Sequence, residues 1–313
     1  MIKVIVGMDL DQVINVIEDA DVEMDLFFTE KSIHGYSSFQ ADINADARGR
    51  QVIENIKNLV SGTIQRINTE HFNTVQYNPT GVVDGPLEVI NHDYVESYNE
   101  IMDSYNDIET ENLEENADNL TFYTLFFRVR DQEVKIMRRV SKFKRLSSKG
   151  VIATFTGNAI NSIDSKMIGI DGAVDLIDYN DEILVINHIS IERIFNMDNK
   201  FSETATTMLQ QLSNNNKIGN FNTFEEDCLN DKRIQKTLTK MASEEIDWEH
   251  CLDRFENVVN IIDTFDLDID YQRAPQEQVN YENKGQLMDF VRLIRDAYYK
   301  TMINEQIGVD NGI

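Results

Sequence analysis

Phe126-Phe127-Arg128-Val129-Arg130-Asp131-Gln132-Glu133-Val134-Lys135-Ile136-Met137-Arg138-Arg139-Val140-Ser141-Lys142-Phe143-Lys144-Arg145-Leu146-Ser147-Ser148-Lys149-Gly150 is the stretch on which both fold and function turn. Its first half is β-branched and aromatic, and a strand over 121–130 puts Arg128 and Arg130 on one face with Phe127 and Val129 on the other. Residues 134–140 form its hairpin partner across Asp131-Gln132-Glu133, because Val134-Lys135-Ile136 continues the β character. The competing reading is a basic amphipathic helix, with Ile136, Val140 and Phe143 opposite Arg138, Lys142 and Arg145.

Charge makes the stretch stand out. Between Arg128 and Lys149 there are nine basic residues and two acids, whereas the 313-residue chain carries −26. Residues 1–127 hold 6 basic and 24 acidic residues, and no Lys or Arg lies between Arg66 and Arg128. Such an island is either a site for a polyanion or the chain's own counter-charge.

Outward from the island, Asp9 or Asp11 caps a helix bearing Leu10, Val13, Ile14 and Ile17. Residues 24–29 and 36–43 read as strands, and Val52, Ile53, Ile56, Leu59, Val60, Ile64 and Ile67 form one helical stripe. The acidic run 109–118 reads as an exposed linker. It divides an N-terminal α/β domain (1–118) from an α+β domain (119–313). Residues 173–177 and 182–187 make a hairpin through Asp178-Tyr179-Asn180-Asp181, and the last third is mostly helical. The expected class is α+β, with mixed and antiparallel sheets, hairpins and a largely helical C-terminal third.

Two cysteines give no disulfide framework and fit a reducing cytoplasm. No secretory signal and no apolar run of about 20 residues is evident, so a cytoplasmic protein is expected. Phosphate-loop, dinucleotide, zinc-protease and nucleophile-elbow motifs are absent, and no cofactor or metal is expected. The five histidines are scattered. Asp266, Asp268 and Asp270 alternate with Leu267 and Ile269; on a strand they would share a face able to hold a hard cation, or simply face water. Glu133-Val134-Lys135 has the E-x-K spacing of many metal-dependent nucleases, in which the carboxylate binds metal and the lysine polarises water or phosphate.

Two blocks, Phe127-Arg128-Val129-Arg130-Asp131 with the basic strand after it, and Asp175 to Asn187 followed by Ile191-Glu192-Arg193-Ile194-Phe195-Asn196, resemble the domain of unknown function that defines the KwaB-like family of the Kiwa anti-phage defence system. The resemblance covers roughly residues 120–300. It implies a bacterial immune protein that binds DNA beside KwaA, a small membrane protein, which would bring this chain to the inner face of the cell membrane. It carries no catalytic motif that can be laid on these residues.

The expectation is therefore a non-enzymatic, homo-oligomeric defence component. It would contact DNA through Arg128, Arg130, Lys135, Arg138, Arg139, Lys142, Lys144, Arg145 and Lys149. The alternatives are a metal-dependent nuclease built on Glu133 and Lys135, and an acidic interaction protein that mimics DNA, its basic segment then being internal counter-charge.

Overall fold

Local sequence signals account for where the chain starts and stops its elements. Asp9 caps the helix α1 (Leu10–Glu18), its Oδ1 accepting from the backbone N–H groups of Asp11 (3.1 Å) and Gln12 (3.2 Å). A computed structural model describes residues 8–43, 47–70, 74–81, 86–108, 113–142, 153–156, 159–162, 168–244, 247–248 and 250–310.

After α1 come β1 (Glu23–Ser32), β2 (Gly35–Gln40), α2 (Ala47–Glu70), β3 (Thr74–Gln76) and β4 (Leu87–Asn91). A 3₁₀ turn (His92–Tyr94), α3 (Tyr98–Asn106) and the short α4 (Leu113–Asn116) precede β5 (Leu120–Val129) and β6 (Gln132–Arg139). Then follow β7 (Ser141–Lys142), β8 (Ala153–Thr156), β9 (Ala159–Ser162), β10 (Ile168–Gly169), β11 (Leu176–Tyr179), β12 (Glu182–Val185) and α5 (His188–Ile194).

Eight of these strands form one sheet in the order β2-β1-β5-β6-β11-β12-β4-β3, antiparallel except for β3 against β4. One face packs on α1 and α2: Leu26, Phe28, Tyr123, Leu125, Phe127, Val134, Ile136 and Ile177 join Val13, Ile17, Val60 and Ile64 in one core. On the other face Tyr105 of α3 lies 5.1 Å from Phe27 and 5.0 Å from Phe126, ring to ring. Of the expected α2 stripe, Ile56, Val60, Ile64 and Ile67 are buried, while Val52 and Leu59 are exposed at its margin.

The chain divides into two compact units, Met1–Tyr77 with Val83–Asn196, and Asn78–Val82 with Met197–Ile313. Residue 118, where composition suggests a boundary, lies inside the first unit. The reason is pairing: β1, from before that point, bonds along its length to β5, and β4 bonds to β12.

The second unit contains α6 (Met197–Asn214), β13 (Ile218–Gly219), α7 (Phe221–Leu229), α8 (Lys232–Ser243), α9 (Phe255–Phe265), β14 (Asp270–Gln272), β15 (Gln278–Asn280), α10 (Leu287–Ile294), β16 (Tyr298–Lys300) and β17 (Ile307–Val309). Phe224, Tyr281 and Phe290 meet edge-on or tilted at its centre. The fold is α+β, with the helices concentrated in the C-terminal part. Asp266 closes α9 in a left-handed conformation and β14 begins only at Asp270, so Asp266, Asp268 and Asp270 do not share one strand face.

Candidate nucleic-acid interface

Residues 120–139 form a hairpin, not a helix, at the centre of the sheet. Its register pairs Val129 with Gln132, so the turn is the two-residue Arg130-Asp131, one residue earlier than the sequence suggests. Arg130 takes φ +53° there, as primed hairpin turns require. It therefore leaves the strand and does not share a face with Arg128; it sits exposed at the tip.

Strand alternation sorts the other cations. Arg128, Glu133, Lys135 and Arg139 face α3, whereas Arg138 faces the α1–α2 side. On the α3 side the polar groups join into a ladder that crosses five strands. Gln40 Nε2 donates to Asp25 Oδ1 (3.0 Å), and Asp25 Oδ2 holds Arg128 (2.5 Å). Arg128 Nε donates to Glu133 Oε2 (2.6 Å), Glu133 Oε1 holds Lys135 Nζ (3.0 Å), and Lys135 reaches Asp178 Oδ2 on β11 (3.4 Å). Asp178 closes the ladder: Tyr98 OH donates to its Oδ2 (2.8 Å), and His92 Nε2 lies 2.9 Å from its Oδ1. The His92 and Tyr98 rings stack 3.7 Å apart, and Arg128 sits 4.6 Å above the Phe126 ring.

The electrostatics follow from this contact set. The Asp178 side chain is only 2% exposed. Burial alone would raise its pKa, yet the hydrogen bond from His92 and the charge of Lys135 hold it below the ordinary carboxylate value. Glu133 is likewise held low: burial opposes, and the hydrogen bonds from Arg128 and Lys135 prevail. Burial, together with the Asp178 charge, pushes the Tyr98 phenol up.

On the other face Arg138 makes a clasp. Its Nε and Nη2 donate to the two oxygens of Asp171 (3.1 and 3.0 Å), and its Nη1 donates to buried Asp175 (2.8 Å). Asp175 also accepts the Arg139 backbone N–H (2.9 Å). The bidentate bond from Arg138 lowers the pKa of Asp171, and the same bond raises that of Arg138.

Arg128, Lys135 and Arg138 thus serve as counter-charges within the first unit. They answer Asp25, Glu133, Asp171, Asp175 and Asp178. Arg130 and Arg139 are placed differently, the first at the tip and the second at the far end of β6, about 23 Å away along seven strand steps. Lys142 continues from that far end on β7, whose backbone pairs with β10. Lys144, Arg145 and Lys149 lie outside the described residues.

The E-x-K pair is real geometry, since Glu133 and Lys135 are bonded and Asp178 converges on the same ammonium. Binding a metal there would require displacing Lys135 from both carboxylates and Arg128 from Glu133. Among the described residues no three His, Cys, Asp or Glu are grouped to hold a metal ion. Sequence reading gave no site role to His92, Tyr98, Asp171, Asp175 or Asp178, and it put Asp178 in the turn of a hairpin whose strand β11 in fact runs on through Tyr179. An acid inside the otherwise apolar Leu176-Ile177-Asp178-Tyr179 was the available signal.

A family model described as Kiwa protein KwaB-like matches residues 117–304. The chain belongs to the KwaB-like family. Membership makes it a component of Kiwa anti-phage defence. The KwaB-like segment holds the hairpin, the Arg138 clasp and Asp178, while Asp25, His92 and Tyr98 come from outside it. Comparison with curated proteins and with solved structures finds no match. Among the described residues no helix is long and apolar enough to cross a membrane.

Proposed function

We propose that this KwaB-like chain engages DNA in its Kiwa system, through the end of β6 and the basic segment that follows it. Arg139, Lys142, Lys144, Arg145 and Lys149 are the phosphate-contacting residues in this reading, and Arg128, Lys135 and Arg138 are internal counter-charges of the hairpin. The observation that carries it is a contrast on the hairpin itself: Arg128, Lys135 and Arg138 are paired with carboxylates, and the Arg139 side chain is held by no described acid. Lys and Arg that are not committed internally can neutralise phosphates and release counterions. Recruitment to the inner face of the membrane by a KwaA-like partner fits a chain whose described helices do not span one.

Duplex DNA binding measured across a potassium chloride series tests this. Arg139→Glu with Lys142→Glu should weaken binding to every sequence and flatten the salt slope by about two. Arg130→Glu should do little. Binding that is unchanged in the double variant removes the assignment.

A second reading keeps Glu133, Lys135 and Asp178 as the remnant or core of a nuclease site, because the three converge. DNA cleavage in Mg²⁺ or Mn²⁺ that disappears in Glu133→Ala would favour it.

A further inference from the structure

The hairpin of β16 and β17 ends in a connection held by its own bonds. Thr301 N donates to Gln306 O (2.8 Å), Glu305 N to Thr301 O (3.0 Å), and Gln306 N to Thr301 Oγ1 (2.9 Å). Lys300 pairs with Glu305 (3.2 Å). The root is fixed as firmly: Asp310 N donates to Ala297 O (2.8 Å), Arg295 holds the Asp310 carboxylate (2.9 Å), and the Tyr298 and Phe265 rings lie 4.8 Å apart. On this braced loop Met302 and Ile303 are 99% and 94% exposed, with Tyr299 and Ile307 half exposed on the stem.

A single exposed apolar residue means nothing. Two in succession, wholly exposed at the tip of a loop that is already ordered, form a knob that can dock without much further ordering cost. The root of the hairpin carries a sign. Asp263 and Asp266 flank Phe265, Asp296 precedes the hairpin, and all three are exposed. Residues 197–313 hold 12 basic and 22 acidic residues.

We propose that this hairpin docks into another protein, whose apolar pocket takes Met302 and Ile303 and whose basic rim answers the collar of Asp263, Asp266 and Asp296. A second copy of this chain would bring the same acidic collar. Two side chains also offer far less than the roughly 800 Å² per partner of a stable interface, so complementary charge must supply part of the recognition. An anionic lipid surface would repel the same carboxylates.

The test places a photo-crosslinking benzoylphenylalanine at Ile303 of the full chain, in cells carrying the complete defence locus. The expected product is an adduct to a different protein, mapped by peptide sequencing to an apolar surface bordered by Lys or Arg. Its yield should fall about tenfold with Met302→Asp, as loss of an anchoring side chain does. It should also fall with Asp263→Lys plus Asp266→Lys. These side chains are on the surface, so an unchanged thermal melt verifies the fold, and Met302→Ser replaces any variant that fails it. An adduct to a second copy of the chain, to lipid or to a pocket with no basic rim overturns the proposal. So does the absence of an adduct, or a yield indifferent to the collar.

Discussion

Lys135 Nζ lies 3.4 Å from Asp178 Oδ2, deep on the α3 side of the sheet, joining the two strands at its centre. Removing one partner of a buried pair leaves the other charge uncompensated. Asp178→Asn should lower unfolding free energy by about 3–5 kcal/mol, measured in urea. Paired with Lys135→Met in a double-mutant cycle, it should show strong non-additivity.

Acid should unfold the first unit by the same linkage. Asp178, Glu133 and Asp171 have folded pKa values below their ordinary ones. Their contribution is complete above the unfolded carboxylate value, near pH 4, and is lost as pH falls through the folded values. Stability measured from pH 6 downward should hold until about pH 4 and then drop. In Asp178→Asn the drop should be shallower.

Arg138 and Arg139 are neighbours with opposite expected phenotypes. Arg138→Met leaves buried Asp175 without its guanidinium and should cost about 3 kcal/mol. Arg139→Glu breaks no ion pair with a described acid and should cost less than about 1 kcal/mol, while weakening DNA binding. Denaturant unfolding and anisotropy on the same two proteins separate the effects.

Gly35 closes the β1–β2 turn at φ +119°, and a Cβ there would run into the Glu100 carboxylate. Gly35→Ala should cost about 1–3 kcal/mol and lower the melting temperature. Gly62, where an added Cβ meets open space, is the matched control.

The hairpin at 120–139 was legible because local β character and alternation point the same way in both strands. The C-terminal helices were legible for the same kind of reason, through their 3.6-residue stripes. The boundary near 118 misled because composition reports exposure along the chain, whereas β1 and β5 find each other across it. The role of Arg128, Lys135 and Arg138 was open for a similar reason. Their partners Asp25, Asp178 and Asp175 are distant in sequence, and only sheet register brings them alongside.

The strand order β2-β1-β5-β6-β11-β12-β4-β3 also has a meaning in time. During synthesis β1 and β4 emerge long before β5 and β12, the strands they must pair with, so each waits with an unsatisfied edge while some ninety further residues are made. Pairings this distant pay loop-closure entropy before any contact rewards it, which slows folding. A chain cut to residues 117–304 would never receive those four early strands. It should emerge with open edges on β5 and β12 and collect as aggregate, so the stretch that the family model matches and the folding unit of this defence protein have different borders.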